Sequence, residues 1–282
     1  MHVHFRIAED VAQKISETFP GCIELEFEKC YHPYLLYVGL WWHMSVYTLC
    51  LIRAPRLDHC CRYSKKRYAG LMFTNPDKAD YVDVKGLQLV RRDNAKLVKT
   101  VSQAILDTLM YDKSSEKAIE VAQSFVLKML RGELDMDQFV ISKSLRGTYA
   151  NPNSQAHVTV ARKIRERTGE VLESGARVPY VFVVDDEIDN KLISAHAEDP
   201  QYVVDNGLQL DYLYYLNNQL MSPVTALLEV VVADPSSSIL GHSEIDALLS
   251  KMREDRAHLL KRVKRVKTNT KNRQMEITRF FR

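Results

Sequence analysis

Three groups of residues in this 282-residue chain have types and spacings that could do chemistry. The first is Lys65, Lys66, Arg67 and Tyr68, three cations ending on an aromatic hydroxyl, with Lys85, Gly86, Arg91, Arg92 and Asp93 downstream. Standing alone, such a run is the solvated end of a strand; facing a polyanion, it is a phosphate grip. The second is Glu24, Glu26 and Glu28, carboxylates alternating with Ile23, Leu25 and Phe27. The third is the end of the chain, RQMEITRFFR. From Lys251 onward twelve Lys/Arg stand against three Asp/Glu, so residues 1–250 carry about −6 of the formal net charge of +3. A positive tail behind an acidic body favours nucleic acid or another acidic partner, with a solvated surface helix as the plain alternative.

The elements that must position these groups follow from periodicity. Ile7, Val11, Ile15 and Phe19 recur every four residues, predicting an amphipathic helix over 6–19 with Gly21 as its stop. IELEFEKCY alternates and predicts a half-buried strand with an acidic face. KKRYAGLMF and YVDVKGLQLV read as two further strands around the Asn75-Pro76-Asp77 turn. Beyond Asn94 the period becomes helical, over 95–110, 117–134, 154–169 and 211–231, the last expected to break near Pro223. VPYVFVV is a short strand, and a final helix is expected from Ser243, capped by its hydroxyl. The fold class is α+β: an antiparallel, sheet-rich first third, a mostly helical remainder and a flexible basic tail. Five cysteines without any CxxC pair give neither a zinc site nor a disulfide framework, so a reducing compartment is expected. The N-terminus has acidic residues and helical periodicity where a signal peptide has an apolar run.

LEFEKCYHPYLL, then KKRYAGLMFTNPDKADYVDVKGLQLVRRDN, and later FVISKSL, HVTVARKI, SGARVPYVFV and DYLYYLNNQLMSPV closely resemble the family B DNA polymerases, in particular the delta-type replicative catalytic subunit. The resemblance implies a partial palm over 1–100, a thumb over 101–242, and a basic helix and tail over 243–282. It implies that Lys65, Lys66, Arg67 and Tyr68 lie at the palm–thumb junction against the primer-template minor groove. Lys85, Gly86, Arg91 and Arg92 are implied to form a second basic strand facing DNA. Cations hold phosphates without reading sequence, while an aromatic hydroxyl can probe a base edge. His157 and Tyr214 match thumb positions, where packing is the expected role of each.

Nucleotidyl transfer requires magnesium ions held by paired carboxylates. The family's DxxSLYP and YGDTDS blocks and its lysine-rich fingers helix do not occur in this sequence. Glu26 and Glu28 match palm carboxylates near the metals but cannot replace the missing aspartates, so the chain alone is expected to hold no Mg2+ and to be inactive. The C-terminal Gln274, Ile277, Phe280 and Phe281 resemble the box by which ligands bind the sliding clamp, proliferating cell nuclear antigen. The expected partners are therefore primer-template DNA and that clamp, in a nuclear setting for a eukaryotic cellular protein. A non-enzymatic clamp- and DNA-binding protein derived from a polymerase is the alternative.

Residues 37–64 have no counterpart in this pattern. Tyr34–Ile52 holds nineteen residues without a charge, close to the ~20 that cross a bilayer. A membrane span between two strands of one sheet is untenable, because both strands must pair in water. No membrane partner is expected. The block reads as an intron translated in frame, or as a surface insertion.

Overall fold

The computed structural model describes residues 2–21, 24–36, 67–87, 93–184 and 192–258. Lys65, Lys66, Arg91, Arg92, the 37–64 block and the box from Gln274 to Phe281 lie outside them. The described residues form two compact units, one within Met1–Val90, Ser102–Val121 and Thr225–Pro235, the other within Arg91–Val101, Ala122–Val224 and Ser236–Arg282.

The first unit is built on an antiparallel meander, β1 (Cys30–Leu36), β2 (Tyr68–Phe73) and β3 (Tyr81–Lys85). The strand expected over 23–31 lies elsewhere: β1 begins at Cys30, and 24–29 is unpaired. The reason is register. Cys30 to Leu36 pair Phe73 to Tyr68 along one edge of β2, and β3 takes the other edge, so no edge of β2 remains for the glutamate run. The β1–β2 register skips between Tyr31 and Tyr34, where Pro33 has no N–H to offer the ladder. The β2–β3 turn has the expected chemistry, with Asn75 Oδ1 accepting from the Asp77 N–H at 3.1 Å and Asp80 Oδ2 accepting from the Thr74 N–H at 2.7 Å. β3 stops at Lys85 because Gly86 takes φ +69°, open to glycine at little cost.

Alternation then sorts the sheet into two faces. Ala69 and Leu71, with Leu35, Phe73, Val82 and Val84, form one apolar face, packed with Leu87, Leu106, Met110 and Leu227. Leu106 lies in the last turn of α2 (Lys96–Asp107), and Met110 sits in a π-helical turn, Thr108–Asp112. Each such side chain contributes about 1.5–3 kcal/mol on full burial. α1 (His2–Ser16) confirms the N-terminal helix but turns it over. Its buried residue is Phe5, edge-on to Phe27 at 4.9 Å, whereas Ile7, Val11 and Ile15 are exposed.

The second unit is organised around another meander, β4 (Ile141–Ser144), β5 (Arg177–Phe182) and β6 (Ala197–Glu198), packed by α4 (Ala156–Thr168). Glu198 is buried at the end of β6 and takes a bidentate grip from Arg167, at 2.8 and 3.0 Å. Lys163 adds a third bond to it at 3.0 Å and also donates to the Ala195 and Ala197 carbonyls. The Arg167 guanidinium lies 3.5 Å over the Tyr202 ring of α5 (Pro200–Asn206), which starts on an Asp199 cap.

Tyr215 is the other anchor. Its buried hydroxyl donates to the Phe139 carbonyl at 2.9 Å and accepts from the Phe182 N–H at 3.0 Å. It opens a π-helical stretch, Tyr215–Leu220, between α6 (Tyr212–Tyr214) and α7 (Met221–Leu228). The break expected at Pro223 is thus absent: the helical run from Tyr212 passes through the π-helical stretch into α7 and contains Pro223. Two further helices follow α3 (Ser115–Leu130) and this run: α8 (Pro235–Leu240) and α9 (243–258). Ser243 is the first helical residue of α9, not its cap, and the Asp246 N–H bonds the His242 carbonyl at 3.0 Å. Arg131 pairs with Glu244, and Arg256 pairs with the buried Asp211 at 3.0 Å. Among the described residues, no helix is long and apolar enough to cross a membrane.

Burial pushes the Glu198 carboxyl up, but the Arg167 and Lys163 bonds and the Asp199 N–H outweigh it, and the group lies below its ordinary 4.5. Its stabilisation is therefore complete above that value and lost as pH falls through the lowered one. Glu198→Ala strands two cations and is expected to lower the unfolding free energy of this unit by about 3–5 kcal/mol in urea titrations at neutral pH. A change below 1 kcal/mol would remove the anchor from the account.

Candidate nucleic-acid interface

The face of the first sheet opposite its core carries two of the sequence-predicted residues, Tyr68 and Lys85. In β2 the alternation puts Tyr68 and Gly70 on it, and the register sets Lys85 across from Tyr68 and Asp83 across from Gly70. From β1 come Tyr31 and Tyr34. Three rings gather there, with centroids 5.5 Å apart for Tyr31–Tyr34, 5.4 Å for Tyr34–Tyr68 and 6.1 Å for Tyr31–Tyr68. Gly70 makes the gathering possible, because a Cβ there would come within 2.9 Å of both the Tyr31 and Tyr34 rings.

Asp83 holds the group together. Its Oδ2 accepts from the Tyr31 hydroxyl at 2.8 Å and from the Tyr68 hydroxyl at 3.1 Å, and Lys85 Nζ stands 3.9 Å from its Oδ1. The Asp83 side chain is only 11% exposed, whereas that of Lys85 is 57% exposed. Burial and the bonds to Asp83 and Tyr68 push the Tyr31 phenol well above its ordinary value; burial, with Tyr68 and Asp83 nearby, does the same to Tyr34. The result is an ordered aromatic platform with a cation at its edge, a chemistry that suits bases and phosphates together.

Of the residues singled out from sequence, Tyr68 and Lys85 share this face, and Gly86 turns the chain just beyond Lys85. Arg67 is half-buried immediately before β2. Tyr31, Tyr34 and Asp83 escaped sequence reasoning. One signal was available: Asp83 stands two residues from Lys85 in YVDVK, hence on the same side of the strand. His157 is 2% exposed and accepts or donates one bond, with the Tyr149 hydroxyl at 2.9 Å. Burial, with Lys143 and Arg146 nearby, lowers its pKa. Tyr214 lies 3.8 Å from the Phe182 ring, so both residues pack, as expected.

The carboxylates do not fit a magnesium centre by themselves. Glu26 and Glu28 are exposed on an unpaired stretch, and Glu28 bonds Lys29 at 3.1 Å. Among the described residues, no three His, Cys, Asp or Glu side chains converge. Magnesium's demand for octahedral oxygen geometry is not met by such a pair.

Residues 61–231 match the sequence model of DNA polymerase family B. The chain belongs to the family B DNA polymerases. It is 37% identical to a DNA polymerase of Paramecium bursaria Chlorella virus NY2A, over all of its own length and 28% of that protein. It is 35% identical to the DNA polymerase delta catalytic subunits of Caenorhabditis elegans and Bos taurus, over 84% and 81% of its length. These relatives make it a delta-type polymerase chain. It spans 20% of the nematode subunit and 18% of the bovine one. The solved family B DNA polymerase of the hyperthermophilic archaeon Pyrobaculum calidifontis is 25% identical, with a TM-score of 0.49 over 60% of this chain and 21% of that one.

The platform makes an alkaline prediction. Tyr31 and Tyr34, like Tyr180, Tyr212, Tyr214 and Tyr215 of the second unit, are held above the ordinary 10.0. A raised native value stabilises the fold up to the unfolded pKa, and that contribution is lost as pH climbs beyond it. Tyrosinate absorbance should show only part of the fourteen tyrosines ionising near pH 10, the rest appearing with unfolding at higher pH. Ionisation of all fourteen near pH 10 with the helical circular dichroism intact would contradict this.

Proposed function

We propose that this chain is the palm–thumb portion of a delta-type replicative DNA polymerase and that it holds primer-template DNA against the Tyr68–Lys85 face of its first sheet. The observation that carries the reading is the pairing of Tyr68 with Lys85 on a face whose reverse side is sealed by core. On this reading residues 1–100 are palm, 101–242 are thumb, and Lys65, Lys66, Arg91 and Arg92 flank the platform with further phosphate contacts. Nucleotidyl transfer belongs to the complete polymerase. This chain contributes grip and lacks the family's metal-binding aspartate blocks, so on its own it binds without synthesis. A nuclear setting follows for a eukaryotic cellular polymerase, where its template lies.

Each cation that neutralises a phosphate steepens the dependence of binding on salt by about 0.9 in a log–log plot. The full chain should bind primer-template duplex with a slope reporting several contacts. Lys85→Ala should reduce that slope by about 1. Binding indifferent to salt, or a slope unchanged in Lys85→Ala together with Lys65→Ala and Lys66→Ala, would defeat the reading.

The tail adds a partner. Gln274, Ile277, Phe280 and Phe281 have the spacing that places an aliphatic and two aromatic anchors on one side of a helical turn, with a basic flank suited to an acidic surface. We assign it to the sliding clamp. Phe280→Ala with Phe281→Ala should weaken clamp binding by about 30-fold or more in calorimetry, the usual loss when hot-spot anchors are removed. Equal affinity in the double variant would dismiss the tail from clamp recognition.

A further inference from the structure

We propose that Asp83 fixes the hydrogen-bonding polarity of Tyr68, so that Tyr68 meets the minor groove as an acceptor and favours base pairs containing guanine. The proposal deepens the DNA-binding reading of this face and rests on it.

A phenol carries one proton and two lone pairs, and an ionised carboxylate only accepts. Tyr68 therefore gives its one proton to Asp83 Oδ2 at 3.1 Å, while Tyr31 gives its own to the same oxygen at 2.8 Å. Neither partner can readily turn away. Asp83 is nearly buried and has Lys85 at 3.9 Å on its other oxygen, and the Tyr68 ring is flanked by Tyr31 and Tyr34. Tyr31 is bonded to Tyr68 as well as to Asp83, so of the two lone pairs on the Tyr68 oxygen one is turned to Tyr31 and one remains.

The minor groove shows acceptors at every base pair, and G·C pairs alone add a donor, the guanine amino group. A tyrosine free to rotate its proton could donate to the shared acceptors and ignore sequence. Held by Asp83, its oxygen is matched to the guanine amino group and mismatched to the acceptors of an A·T pair. Sequence-independent grip comes from Lys85, a phosphate-binding donor set directly across the ladder from Tyr68. Acceptor and donor thus stand side by side on the platform, so binding to any sequence is retained while G·C is preferred.

Inosine isolates the idea, because an I·C pair is a G·C pair without the amino group. The full chain is titrated with two otherwise identical primer-template duplexes, one carrying G·C and one I·C at the primer end. The wild-type chain should bind the G·C duplex about 3- to 10-fold more tightly, the range of one neutral hydrogen bond. Tyr68→Phe should erase that ratio. Asp83→Asn should erase or invert it, because an amide nitrogen can donate to Tyr68 and release the tyrosine proton outward. Unchanged circular dichroism and thermal midpoint separate either effect from unfolding. A merely structural role for Asp83 would weaken both duplexes alike and leave the ratio in place. Wild-type binding without G·C preference, or Asp83→Asn retaining the wild-type ratio, overturns the inference and leaves the DNA-binding reading standing. Absence of salt-dependent duplex binding overturns both.

Discussion

The pleat of β2 and β3 is the constraint from which the first unit's use follows. Side chains alternate across a strand, so one register sends Ala69 and Leu71 into the core and leaves Tyr68 and Gly70 opposite. A slip of one residue would bury Lys85 and expose Leu71, and the apolar cluster under the sheet prevents it. The hydrophobic effect thereby sets which side chains face outward, although none of the outward residues contributes to that core. Gly70 adds a second restriction: with any side chain there, the tyrosines could not close around Asp83.

The second unit solves a different problem with polar anchors. Its sheet is small, and β6 has two residues, too short to be held by ladder bonds alone. Glu198 compensates by drawing two cations of α4 onto the strand end, and Tyr215 ties the Phe139 turn to β5 through one hydroxyl. Removing one member of such a buried group leaves the remaining charges uncompensated, so the arrangement holds as a unit.

Much of this was legible in the sequence, and the failures have physical causes. The β2 and β3 strands, their Asn75 turn and the long helices were read correctly because period and turn chemistry agree there. β1 was misplaced because IELEFEKCY alternates better than YHPYLL, yet pairing with β2 decides what becomes a strand. The α1 stripe was found and assigned to the wrong environment, since periodicity shows that a helix has two faces without saying which is covered. The π-helical turns and the Ser243 position depend on tertiary packing and left no local trace. At the site, Tyr68 and Lys85 were legible as part of a motif. Tyr31, Tyr34 and Asp83 were not, because their role arises from three strands meeting, with Tyr31 and Asp83 fifty-two positions apart.

The most direct measurement is lysine footprinting of the full chain by acetylation and mass spectrometry, with and without primer-template duplex. Lys85 is exposed and should react freely in the unbound chain. The account predicts that duplex DNA shields Lys85 together with Lys65 and Lys66, and that shielding fades as salt is raised. Equal acetylation of Lys85 in the presence and absence of bound duplex would contradict it.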